Sequence, residues 1–214
     1  MGKNGKIIPD VKFVDLSHPI TADMPIFPGD PENKIENAGE LEQDGFEQHV
    51  VSFCTHVGTH VDAPRHMLKG GKNLDEIPLD RLIGRGVVIK TKDFNFLEIE
   101  EADIREGDIV LFNTGMHTLW GKQQYYDSYP VMDEEVATYL AAKRVKMVGL
   151  DNCSADRDDK AFPIHKILLK KDILIIENLT NVEALEGKEF KIYALPMKLQ
   201  LDGAPIRVIA EVIS

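Results

Sequence analysis

"THVGTHVDAPRHM", Thr55 to Met67, places His56, His60, Asp62 and His66 in one short stretch of a chain that has only seven histidines. Gly58 and Pro64 are set between them. Three imidazoles and a carboxylate can hold a metal ion, relay protons, or form a solvated polar turn. Geometry narrows the choice, because a metal draws its donor atoms to within about 2.0–2.2 Å of one centre. In one continuous strand His56 and His60 would share a face but stand roughly 13 Å apart, at about 3.3 Å per residue. In a helix they would be neighbours, yet Asp62 would point away from His60, and Gly58, Pro64 and the β-branched residues disfavour a helix. The stretch therefore predicts a strand, "QHVVSFC" (Gln48 to Cys54), that ends in a tight turn through "HVGTH". Gly58 would permit the unusual backbone there, and Pro64 would stiffen the exit. Such a turn can converge His56, His60 and Asp62, and a metal site is the reading preferred over a polar turn.

Outward from this stretch, "VKFVDL" (Val11 to Leu16) reads as another strand. The segment between, "HPITADMPIFPGDPEN", carries Pro19, Pro25, Pro28 and Pro31 with Gly29, which excludes helix and central strand. It is long for a mere connection, and long ordered loops tend to be functional. Downstream, "GVVIKT", "DIVLFNT", "VKMVGLD", "DILIIEN", "FKIYALP" and "IRVIAEVIS" are six further strand candidates. "DEEVATYLAAKR" (Asp133 to Arg144) has an acidic first turn, an apolar face at Val136, Tyr139 and Leu140, and a basic end, which suit a helix and its dipole. "IHKILLKK" (Ile164 to Lys171), just after Pro163, reads as a second helix. Strands followed by helix–strand alternation predict an α/β fold with a mixed sheet, in a single domain spanning 1–214.

Composition excludes several classes of partner. A formal net charge of −11 argues against nucleic acid or an anionic membrane surface. The opening "MGKNGKIIPD" lacks an apolar core of signal-peptide length, Lys6 stands where a myristoylation signal wants Ser or Thr, and no apolar run reaches membrane-spanning length. Two cysteines, Cys54 and Cys153, fit a reducing cytoplasm and no disulfide framework. Cys54 reads as a buried small apolar residue.

Far along the chain, Ile173 to Ile176 form an apolar run that predicts a buried strand, and Glu177 ends it. Burying a carboxylate is costly unless it is paired or coordinated. Glu177 thus reads equally as a ligand and as an exposed or ion-paired strand end. His165, near a helix start, reads on its own as a surface or capping residue.

With these residues in view, the chain resembles the bacterial kynurenine formamidase and cyclase family of metal-dependent hydrolases, which includes isatin hydrolases. "HVGTHVDAPRH", His56 to His66, matches the motif HxGTHxDxPxH at every fixed position. "DLSHPI", "PIFPGDPE", "FPIHKILL", "DILIIENL" and "ALPMKLQLDGAPIRVIA" extend the likeness over most of the chain. The resemblance implies a swivelling β/β/α-type fold, a homodimer or higher homo-oligomer, and hydrolysis of a small-molecule amide. An aryl formamide such as N-formylkynurenine, cleaved in tryptophan degradation, is the substrate it points to first. A cyclic amide of the isatin type and a non-catalytic metal- or ligand-binding member of the fold are the alternatives.

The resemblance further implies two divalent ions, zinc by analogy with formamidases or manganese by analogy with isatin hydrolases. His56, His60 and Asp62 would bind the first. Asp62 and Glu177 would be shared between the two, and His165 would serve the second. His66 matches the catalytic histidine, to be set against a role as a further ligand or an orienting group. Phe27 matches an aromatic position lining the substrate pocket, where formamidases commonly have Trp. "GLDNCSADRDD" (Gly149 to Asp159) and Met116 are further departures, so the expected divergence lies in the pocket and not in the ligands.

Overall fold

Apolar runs punctuated by Gly and Pro form ten strands in the computed structural model, which describes residues 12–157 and 161–213. They are Lys12–Asp15 (β1), Lys34–Gly39 (β2), Gln48–Ser52 (β3), His60–Asp62 (β4), Ile83–Lys90 (β5), Ile109–Asn113 (β6), Met147–Leu150 (β7), Leu174–Glu177 (β8), Phe190–Pro196 (β9) and Gly203–Val212 (β10). Between them lie the short helices Leu41–Asp44 (α1), Phe96–Glu100 (α2), Gln124–Asp127 (α3), Glu134–Ala142 (α4) and Pro163–Leu169 (α5). Both predicted helices form. Asp133 caps α4 by accepting a hydrogen bond from the Val136 amide at 2.9 Å, which satisfies one free donor of the first turn.

Seven strands close into a barrel in the order β4-β8-β7-β6-β5-β9-β10. β5 to β8 run parallel and the remaining contacts are antiparallel, so the sheet is mixed, as predicted. β10 makes the closure: Gly203 to Pro205 pair with β4, while Ile206 to Val212 pair with β9. β1 lies on the outer side of β10.

The period-two pattern of the central strands explains their uninterrupted apolar sequence. Ile109 and Leu111 of β6, with Leu174 and Ile176 of β8 and Val61 of β4, fill the barrel. Val110, Phe112 and Ile175 face outward against Val136 and Leu140 of α4 and Ile164 and Leu168 of α5. Strands covered on both faces have no polar side to display. Truncating a side chain such as Leu140, fully buried here, would cost about 2–5 kcal/mol.

The strand expected from Gln48 to Cys54 is shorter and lies elsewhere. It stops at Ser52, pairs with β2 in a separate exposed hairpin, and gives way to a turn before β4 begins at His60. Gly58, at φ +58°, makes that turn possible. The Pro-rich segment 18–33 has neither helix nor strand, as its composition requires. Val11, predicted to open the first strand, and the opening decapeptide lie outside the described residues, as do Asp158 and Asp159.

Candidate metal centre

Register decides which side chains meet. Val61 points into the barrel, so His60 and Asp62 point out of it, on the side where α5 packs. β4 lies against β8 with His60 opposite Glu177 and Asp62 opposite Ile175. α5 adds His165 from above. The reading of His165 as a surface or capping residue is corrected here, since it is 2% exposed. Pro163 at the first helical position starts α5, and Asp156 stabilises that start by accepting hydrogen bonds from the Ile164 and His165 amides, at 3.0 and 2.9 Å.

The two carboxylates each span two imidazoles. Asp62 Oδ1 lies 3.4 Å from His60 Nε2 and its Oδ2 lies 3.5 Å from His165 Nε2. Glu177 Oε2 lies 3.4 Å from His60 Nε2 and its Oε1 lies 3.2 Å from His165 Nε2. The outer ring nitrogens are fixed by acceptors: His60 Nδ1 is 2.9 Å from the Gly58 carbonyl, and His165 Nδ1 is 2.7 Å from Asp156 Oδ2. A carbonyl and a carboxylate accept, so Nδ1 carries a proton in both rings and Nε2 is the atom turned toward the carboxylates, where it holds either a second proton or a cation.

His56 and His66 stand beside this group. His56 Nδ1 is 2.7 Å from Asp62 Oδ1, and its Nε2 is 2.9 Å from Asp202 Oδ2. His66, on the one-turn 3-10 helix Pro64–His66, leans against His56 with ring centroids 3.9 Å apart and planes inclined by 34°, and places Nδ1 3.3 Å from the same Asp202 oxygen. Potential donor atoms therefore converge in two groups, His60 with Asp62 and Glu177, and His56 with Asp62 and His66. The second puts His66 among possible ligands, where the resemblance implies His56 and His60 with Asp62.

The residues fit a divalent cation. His60 Nε2 and Asp62 Oδ2 are buried and have no hydrogen-bond partner, an arrangement that is expensive unless something completes it. The electrostatics agree. Burial alone would push the His60 imidazole down, yet the facing Asp62 and Glu177 carboxylates outweigh it and raise it to about 10. His165 is raised by Asp156, Asp62 and Glu177, also against burial. Burial would likewise raise Asp62 and Glu177, and the surrounding imidazoles hold both low. Two buried anions thus demand positive charge, which protons on imidazole or a bound cation can supply. His66 differs, because burial pulls its imidazole below the ordinary value.

The centre forms the floor of a cavity of about 420 Å³, within the range of small-molecule sites. Phe27 lines it and meets Tyr126 edge-on at 6.1 Å, with Trp120, Met67 and Phe162 completing an aromatic and apolar wall. Cys54 is half-buried and lines the cavity, which corrects its reading as a buried filler. Met116 is buried behind the wall against Tyr125, Tyr129 and Cys153, away from the lining. Within the segment 149–159, Cys153 and Ser154 reach the cavity. Sequence reasoning missed Asp156 and Asp202, which orient the histidines, and Asn178, whose amide donates to the Gly58 carbonyl at 2.8 Å. A lone Asp within "LDGAP" or "SADRD" carries no signal of what it faces.

Known proteins share this architecture. Isatin hydrolase A from Labrenzia aggregata superposes with a TM-score of 0.84 over 95% of this chain and 94% of its own, at 24% identity, a likeness of fold. A solved potential metal-dependent hydrolase with cyclase activity matches with a TM-score of 0.79 at 30% identity, over 95% and 99% of the two chains. In sequence, kynurenine formamidase of Bacillus cytotoxicus is 28% identical over 204 residues, 92% of this chain and 96% of its own. An uncharacterized protein of Methanocaldococcus jannaschii is 36% identical over 191 residues, 86% and 91% of the two chains. With the buried imidazole–carboxylate centre, these place the chain among the metal-dependent hydrolases. More particularly, the chain belongs to the Cyclase family, whose model matches residues 14–157.

Proposed function

We propose that the protein hydrolyses the C–N bond of an aryl formamide, with N-formylkynurenine as the leading substrate, at a centre of two divalent ions, zinc in the first instance. The observation that carries this reading is the division of labour within Asp62 and Glu177, each of which offers one oxygen toward His60 and the other toward His165. Carboxylates so placed suit two neighbouring cations better than one. His56, with Asp62, would complete the set of ligands. Bound divalent ions supply Lewis acidity, polarising a carbonyl and acidifying water near pH 7.

The chain's own groups account for the proton transfers. Asp202 accepts from His66 Nδ1, leaving Nε2 as the basic nitrogen, and burial keeps the ring neutral at pH 7. His66 Nε2 then takes the proton of the attacking water and gives it to the departing aryl nitrogen as the C–N bond breaks. Phe27, Tyr126 and Trp120 would hold the aryl ring. Exposed Leu41, Phe46, Val50 and Val51 on the β2–β3 hairpin and its connection support a homo-oligomer as the working form.

The decisive assay offers N-formylkynurenine, formanilide and isatin to the zinc- and manganese-loaded protein. Metal-dependent release of the aryl amine from the formamides is expected. Turnover of isatin alone would move the substrate class to cyclic amides, and turnover of none would defeat the amide reading.

A further inference from the structure

The cavity wall holds one ionisable carboxylate that the centre does not use. Asp30 lines the pocket with Phe27 and Tyr126 and belongs to neither group of converging donors at the floor. Its amide donates to the Phe27 carbonyl at 3.0 Å, and Gly29 between them takes φ +99°, so a defined turn presents the side chain. Among the described residues nothing hydrogen-bonds to this half-buried carboxylate and no cation pairs with it. Its charge is felt across the pocket, since the Tyr126 hydroxyl is pushed up by burial and, in addition, by Cys153 and Asp30.

The described residues lining this cavity include no Lys and no Arg. A substrate whose only charge is a carboxylate would find no counter-ion on the wall and would meet Asp30 instead. A protonated amine would find a carboxylate and the faces of aromatic rings, both of which attract cations. The net charge of −11 adds a long-range field of the same sense.

We propose that Asp30 is a specificity-determining residue that receives an ammonium group of the substrate, so that the pocket takes aromatic amides bearing a protonated amine. For the bond cleaved, this rests on the amide-hydrolase reading. For the amine contact it does not, and the two are separable by a binding experiment.

Calorimetry on the metal-loaded wild type, Asp30→Asn and Asp30→Glu, with phenethylamine and neutral 2-phenylethanol as probes, measures the contact without turnover. The wild type should prefer the amine, Asp30→Asn should reduce the amine-to-alcohol affinity ratio at least tenfold, and Asp30→Glu should restore most of it. Melting temperatures of the variants establish that they are folded. A ratio unchanged in Asp30→Asn, or a wild type that shows no preference, overturns the assignment. If the preference holds while no amide is hydrolysed, the substrate reading fails and the Asp30 assignment stands.

Discussion

His56 and Asp202, 146 positions apart in sequence, meet through Nε2 and Oδ2 at 2.9 Å. The same oxygen faces His66 Nδ1 at 3.3 Å, so one carboxylate sets the orientation of two imidazoles. Removing its charge while keeping its shape should lower kcat/KM by about 10–100-fold. Asp202→Asn should also move the acidic limb of the kcat/KM profile to lower pH, because an anion stabilises the imidazolium and its loss lowers the proton affinity of His66. An unshifted limb would remove Asp202 from the proton path.

Gly203 opens the strand that closes the barrel, opposite Asp62, and lies directly under His56. A Cβ there would come within 2.7 Å of His56 Cε1 and 3.0 Å of the Val61 carbonyl oxygen. Gly203→Ala should therefore tilt the His56 ring and disturb the β4–β10 pairing, costing about 1–3 kcal/mol of stability. Activity should fall further than thermal stability accounts for, which kinetics well below the melting temperature would reveal.

Asp156 both caps α5 and fixes the His165 tautomer. Asp156→Ala should weaken metal affinity by about 10–100-fold, read by competition with a chromophoric chelator, and lower stability by about 1 kcal/mol through the lost cap. Asp156→Asn retains a capping oxygen and should recover stability more than affinity. Equal recovery of both would mean that the cap alone matters.

Chelation should leave His60 Nε2 and Asp62 Oδ2 buried without a partner. Loss of a ligand present at a hundredfold excess over its dissociation constant removes about 2.7 kcal/mol. At about 2–4 °C per kcal/mol for a chain of this size, the melting temperature should drop by about 5–10 °C and return when zinc or manganese is restored. A melting curve indifferent to chelator would argue against any bound cation.

His18, which is not among the centre's candidate ligands, gives a second pH dependence. Its ring stacks on Trp120 with centroids 4.1 Å apart, and burial, followed by the nearby His117, lowers its pKa from 6.5 to about 4. Between those values the unfolded chain takes up a proton that the folded state refuses. Stability is therefore fully present above pH 6.5 and is lost as pH falls toward 4. Solvent screening around the half-buried ring limits the effect to about 1–2 kcal/mol. His18→Phe keeps the stacking, and its denaturation midpoint should decline less than that of the wild type over this interval.

The legible parts of this protein are those encoded by local pattern. His56, His60, Asp62 and His66 stand out by density, and Glu177 by its place at the end of an apolar run. The six downstream strands follow from β-branched runs, and β6, β7 and β8 are apolar on both faces over most of their length because the barrel interior and the helices cover them. Partnerships across the chain were not legible. No periodicity joins β10 to β4, so neither closure nor the arrival of Asp202 beside His56 could be read. Local pattern does not reveal His165, which only the family resemblance pointed to, for a related reason: a histidine in the first turn of a helix looks exposed until a strand 60–62 is known to lie beneath it. Cys54 was misread because its small size suggested packing, whereas the turn that follows β3 brings it to the cavity wall.

β10 touches β4, β9 and β1 at once, and this has a consequence for how the protein is made. A ribosome delivers "HVGTHVDAPRH" well before the strand that braces its acidic and imidazole groups, since Asp202, the carboxylate just ahead of that strand, follows His66 by 136 positions. Over that interval the nascent chain carries the motif without the strand that braces it. Premature release upstream of Asp202 should yield a polypeptide that contains the whole motif but neither the carboxylate that orients His56 and His66 nor the strand that pairs with β4.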